Sequence, residues 1–126
     1  MSEHSYPGSR WWKFVFFNHT PASLDYRGDK GISPRQWLQN YRDAGIQCVA
    51  VTNHNTGEWI DRLKAALAEL RQGDQAWEEF FLFPGMELSC SGDVHLKVIL
   101  DPSKKSADIE AIRGCVKYQG TPGNSD

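Results

Sequence analysis

The chain is short of the features that mark several protein classes. It has three cysteines, Cys48, Cys90 and Cys115, each alone in the sequence. With no CxxC pair there is neither a zinc knuckle nor a dithiol redox motif. Cys48 and Cys90 lie in or beside apolar runs and read as small buried hydrophobes in a reducing compartment. No apolar run approaches the length of a membrane span, and the polar opening from Met1 to Arg10 lacks the apolar core of a signal peptide. The protein is therefore expected to be cytoplasmic, with no membrane partner. A charge excess is lacking too, since 14 Lys and Arg stand against 16 Asp and Glu, for a formal net charge of -2. Duplex binding by counterion release needs a basic face, so charge alone does not imply nucleic acid.

What is present is a globular composition, with 40% hydrophobic residues in 126, enough for one compact core. Trp11 to Phe17 is aromatic, branched and too short for a helix, and reads as a buried strand running into Asn18-His19-Thr20-Pro21. Ser33-Pro34 is an N-cap followed by proline at the first helical position. Trp37, Leu38 and Tyr41 then form an apolar stripe that ends at Gly45. Ile46 to Thr52 is almost continuously apolar, as a parallel strand covered on both faces would be, and it ends in Asn53-His54-Asn55. From Glu58 to Leu70, the residues Trp59, Ile60, Leu63, Leu67 and Leu70 recur at helical spacing. Arg71 to Trp77 reads as a loop, and Phe80 to Phe83 as a third strand followed by Pro84-Gly85-Met86-Glu87. Val94 to Leu100 reads as a fourth strand, and Ala107 to Arg113 as a short last helix. This alternation predicts an α/β fold with a mainly parallel sheet and right-handed crossovers.

Sites in such folds assemble at the carboxyl ends of strands. Three successive strands here finish in potential ligands, His19, His54 and Glu87, and His95 follows across a tight turn at Ser91-Gly92-Asp93. Taken singly, each has an ordinary structural reading. A lone histidine is more often a hydrogen-bonded structural group, and Glu87 could pair with Lys97. Together, imidazoles and a carboxylate on neighbouring strand ends suit zinc, manganese or iron.

The ordered set Phe17-Asn18-His19-Thr20, Thr52-Asn53-His54, Pro84-Gly85-Met86-Glu87 and His95 resembles the motifs of the polymerase and histidinol phosphatase (PHP) domain. The strings GSRWWKF, HTPAS, VAVTNHN, GEWIDRLKAAL and LFPGMELS are similar to the N-terminal PHP module of TrlF-type ABC-like ATPases. The resemblance implies a truncated, distorted TIM-like barrel. By composition, a flexible lead-in over 1-9 and a flexible tail over 115-126 are expected to flank a PHP-like domain over 10-114. The resemblance also implies a metal-dependent phosphoesterase ancestry, with His19, His54, Glu87, His95 and Asp25 as metal positions. Four positions depart from the family pattern: Val15 and Phe17 stand where an acidic residue and a histidine are expected, Asn53 replaces an aspartate, and Leu24 replaces an acidic ligand, with Asp25 as its neighbour and substitute. Phe17 and Val15 are expected to fill apolar space that metal ligands would otherwise occupy. The resemblance therefore implies weak or partial binding of a divalent ion and a catalytically impaired module with an interaction or regulatory role. The alternative is an active phosphatase or nuclease completed by a partner or a second copy. A barrel of about four strands leaves an open edge, so a homo-oligomer or a protein partner, such as an ABC-type ATPase, is expected to cover it. Nucleic acid or another phosphate ester is the expected substrate class.

Overall fold

The computed structural model describes residues 11–73 and 77–125. The lead-in expected over 1-9 lies outside the described residues, as do 74–76 of the loop expected over Arg71 to Trp77, whose first three residues instead continue the second helix to Gly73. The elements are β1 (Phe14–Val15), α1 (Pro34–Asp43), β2 (Cys48–Val51), α2 (Ile60–Gly73), β3 (Phe81–Cys90), β4 (Val94–Ile99) and α3 (Ser106–Cys115). They form one four-stranded sheet in the order β1-β2-β3-β4. The β1–β2 and β2–β3 pairings are parallel and the β3–β4 pairing is antiparallel, so the sheet is mixed and curls into a half-barrel. Among the described residues, no helix is long and apolar enough to cross a membrane.

The helix boundaries follow from local chemistry. Ser33 Oγ accepts the Gln36 amide hydrogen at 3.1 Å, and Pro34 begins α1, an N-terminal signature in which proline costs no backbone hydrogen bond. At the other end Gly45 has φ +78°. Its N–H donates to the Arg42 carbonyl at 2.9 Å, and the Ile46 N–H donates to the Tyr41 carbonyl at 3.0 Å. That pair of bonds is a Schellman closure, which satisfies carbonyls the helix leaves open. In α2 the buried stripe is Ile60, Leu63, Ala66 and Leu70. Trp59 precedes the helix with φ +80°, and the Arg62 guanidinium lies 4.8 Å from its ring centroid. These helices, with Ile109 of α3, close a core on Val49 and Val51 of β2 and on Phe80, Leu82, Met86 and Leu88.

Two strand expectations need correction. The first strand is two residues long, not Trp11 to Phe17. The Asn18 side-chain amide donates to the carbonyls of Val15 and Ala50, both at 2.9 Å, and so takes over where main-chain pairing stops. β1 is the sheet edge, and Phe16 and Phe17 remain more than half exposed. Phe17 thus does not fill buried apolar space, and Val15 is only half-buried. The third strand, in turn, does not stop at Phe83 but continues to Cys90 through Pro84 and Gly85. Phe81 to Pro84 pair with β2, and Gly85 to Cys90 pair with β4, so the backbone changes partner at the point where composition suggests a turn. A Cβ on Gly85 would lie 2.5 Å from the Val98 carbonyl oxygen and 2.9 Å from that of Val51. Only glycine fits between strands so close on both sides.

Candidate metal centre

β1 and β2 are short, and β3 projects past both. The loops leaving β1 and β2 carry His19 and His54, and the projecting half of β3 carries Glu87 alongside them. The Glu87 N–H donates to the Asn53 carbonyl at 2.8 Å, and the Asn55 N–H donates to the Glu87 carbonyl at 2.9 Å. His54 and Glu87 therefore form a parallel bridge that extends the β2–β3 pairing beyond Val51. Asn55 sustains it from the left-handed region, at φ 53°, which asparagine tolerates better than most residues. Its side-chain oxygen accepts the Ser89 N–H at 2.8 Å and its amide donates to Ser89 Oγ at 2.9 Å. His95 sits opposite Ser89 in the antiparallel ladder, two residues from Glu87 and on the same sheet face.

The sequence-derived positions His19, His54, Glu87, His95 and Asp25 come together at this rim. His19 Nε2 lies 3.3 Å from Glu87 Oε1, His54 Nδ1 lies 3.9 Å from Glu87 Oε2, and His95 Nδ1 lies 3.2 Å from Glu87 Oε2. On the other side, His19 Nδ1 is 3.7 Å from Asp25 Oδ1 and His54 Nε2 is 3.0 Å from Asp25 Oδ2. Each of these two imidazoles thus turns one nitrogen to Glu87 and the other to Asp25. Glu87 and His54 are buried, whereas Asp25 is about half exposed.

His19, His54 and Glu87 can hold a metal ion, since one ligand atom from each lies within 4.8 Å of the others. The fit has a specific sign. His54 Nδ1 is buried and has no hydrogen-bond partner among the described residues, a costly state for a polar atom unless an ion or another group satisfies it. With bonds of about 2 Å, ligand atoms around a tetrahedral ion stand roughly 3.3 Å apart, so the group, with ligand atoms within 4.8 Å of one another, would draw together around the ion. Two imidazoles and one carboxylate also leave a coordination position open for water or substrate.

The positions expected to depart from the family pattern are engaged otherwise. Asn53 is fully buried. Its Oδ1 accepts from the Thr20 N–H at 2.7 Å and from the Thr20 and Ser23 hydroxyls, both at 3.1 Å, so it ties the β1 loop to the end of β2. Phe17 lies with its ring centroid 5.1 Å from that of His19, and Lys97 Nζ lies 4.1 Å from the Phe17 centroid. Lys97 is the cross-strand partner of Glu87, but the groups facing the Glu87 carboxylate are the three histidines. Leu24 is exposed, and its contribution is a backbone one, its N–H donating to the Gly123 carbonyl at 2.7 Å. Cys48 is buried, and burial pushes its thiol pKa up, which suits an inert core residue.

Beside the cluster is an open cavity of about 480 Å³ lined by Phe17, His19, Asp25, Tyr26, Arg27, Gly28 and His54. Tyr26 is one of its lining residues, and burial, with the charge of Asp29, raises the Tyr26 pKa. Tyr26 and Arg27 were not legible as site residues, because nothing in a polar loop sequence says which side chains turn inward. No protein-family model matches the chain, and no curated protein matches it in sequence.

Proposed function

We propose that this chain is a PHP-like metal-binding phosphoesterase domain, catalytically impaired, that holds one divalent ion on His19, His54 and Glu87 and serves as an interaction or regulatory module. The observation that carries this reading is the two-sided arrangement of the imidazoles, with Glu87 against one nitrogen of each ring and Asp25 against the other. A carboxylate behind a ligating histidine fixes the tautomer and raises ligand basicity, so Asp25 orients His54 and His19 while Glu87 shares the ion with them. His95, with Nδ1 3.2 Å from the second oxygen of Glu87, helps hold that carboxylate in place. The bound ion would supply Lewis acidity toward a phosphoryl oxygen and would acidify a water.

Impairment follows from Phe17 and Asn53. Phe17 offers no ligand atom beside His19, and the Asn53 amide is committed to Thr20, Ser23 and the Glu58 carbonyl. A second ion, needed to clamp both oxygens of an in-line displacement, lacks a full protein cage. The second reading, an active phosphatase or nuclease, is favoured by the cavity that joins Arg27 to His19, Asp25 and His54, since a guanidinium there suits a phosphate group.

Elemental analysis with paired assays on a generic phosphodiester and a phosphomonoester separates the readings. One equivalent of zinc, manganese or iron with negligible turnover is expected. Metal-dependent turnover would support the second reading, and a protein that neither retains nor takes up metal would end both.

A further inference from the structure

We propose that the segment 121–125 is a clasp for the metal centre, with Gly123 as a positioning residue for Asp25 and His54. The inference rests on the metal-binding reading above. The composition of residues 115-126 suggests a flexible tail, yet Gly123 lies between the two loops that carry the site. Its N–H donates to the His54 carbonyl at 2.8 Å, and its carbonyl accepts the Leu24 N–H at 2.7 Å. One residue thus joins His54 directly to the neighbour of Asp25. The next two residues extend the contact, as the Asn124 carbonyl accepts from Asn55 Nδ2 at 2.8 Å and the Ser125 carbonyl accepts from Ser89 Oγ at 2.9 Å.

The position demands glycine on two grounds. Gly123 has φ +88°, a conformation that L side chains rarely adopt, and a Cβ there would run into the Ala22 carbonyl oxygen. Gly123 is buried, so the collision has no solvent side on which to relax. The function of such a docking follows from Asp25 itself. That carboxylate is about half exposed on a loop, and its reach to His54 Nε2 at 3.0 Å depends on where the backbone at Leu24 is held. Because the clasp and the ion act on the same pair of loops, each favours the other, and linkage makes the effect reciprocal.

The test uses the whole chain and zinc as the probe. Gly123→Ala is compared with Gly114→Ala, whose added Cβ meets nothing within 4 Å. By calorimetry, Gly123→Ala should bind zinc about 10 to 100-fold more weakly, the range expected when an orienting partner is lost, while Gly114→Ala should match the parent. With cobalt(II) in place of zinc, the visible bands of Gly123→Ala should shift, because His54 loses its orienting partner; simple destabilisation would leave the bands of the bound form in place. Amide hydrogen exchange reads the clasp without metal: Leu24 should be protected in the parent and exchange freely in Gly123→Ala, and zinc should slow exchange at Leu24 and Gly123 in the parent. Equal Leu24 exchange in parent and variant would overturn the clasp. Equal zinc affinity would overturn the positioning role. A parent that binds no zinc would sink the metal reading and the positioning role with it, while the metal-free exchange comparison would still decide whether Gly123 docks.

Discussion

Asn53 and Glu87 are both buried polar residues at the same rim, yet their surroundings assign them opposite duties. Every polar atom of the Asn53 amide is engaged, with Nδ2 donating to Thr20 Oγ1 at 2.8 Å and to the Glu58 carbonyl at 3.3 Å. Truncation by Asn53→Ala would leave the buried Thr20 N–H and Ser23 hydroxyl without their acceptor. Each such orphaned group costs about 1 to 3 kcal/mol, and urea denaturation should show a loss of at least that size. Asn53→Asp keeps the acceptor for Thr20 and Ser23 but loses both donations of Nδ2, to Thr20 Oγ1 and to the Glu58 carbonyl, so a smaller loss is expected in the same measurement; a loss larger than that of Asn53→Ala would contradict the hydrogen-bond account. Glu87 is surrounded instead by imidazoles. Glu87→Gln preserves shape and removes the charge that would hold a cation, so zinc affinity measured by calorimetry should fall by about 100-fold or more, at or beyond the upper end of the range for lost orienting groups. Unchanged affinity would place the ion elsewhere. The chemistry of His19, His54, Glu87 and His95 was legible in the sequence because imidazole and carboxylate at strand ends are rare enough to stand out. The hub at Asn53 was not, since one amide looks like another until its partners are known.

Among the elements, the helices were the most legible and the strands the least. The Ser33-Pro34 start and the Gly45 stop of α1 are local devices, set by residues within a few positions of each other, so the sequence carries them directly. The period of α2 is equally local, although its buried face runs through Ala66, and Trp59 and Leu67 pack against the core only partly buried. Leu63 is fully buried at the centre of that face. Leu63→Ala should cost about 2 to 5 kcal/mol, as buried leucine truncations do, with thermal or chemical denaturation as the check; a variant as stable as the parent would mean α2 does not pack on this core. β3 shows why strands are harder to read. Pro84-Gly85 signals a turn by composition, but strand pairing on both sides supplies the backbone bonds that a turn would otherwise make, and non-local hydrogen bonding overrides the local preference. β1 fails in the opposite direction. Its aromatic residues have strand propensity without a partner on the outer edge, and the Asn18 side chain ends the ladder early.

At the scale of the whole molecule, the half-barrel leaves an aromatic face. Trp12 and Phe81 meet edge to face at 5.6 Å, and Phe14 lies 5.1 Å from Phe83, around an open cleft of about 460 Å³. Phe16, stacked on Phe14 with ring centroids 4.0 Å apart, is 57% exposed, and soluble monomers seldom leave contiguous apolar area of this kind uncovered. We expect a second copy to cover this surface. Sedimentation velocity should show concentration-dependent dimers that Phe16→Glu weakens, and a monomer over the full concentration range would sink the expectation. The sequence by itself determined the α/β alternation, the start and stop of α1 and the histidines and carboxylates placed at the strand ends, because propensity, capping and periodicity act between near neighbours. The tertiary structure alone decided that β3 continues through Pro84-Gly85, that Phe17 lies half exposed, that Asp25 backs both histidines and that Gly123 closes on His54. These features depend on contacts between segments distant in the chain, 29 residues in the case of Asp25 and His54, where the chain's path, set by packing, determines which groups meet.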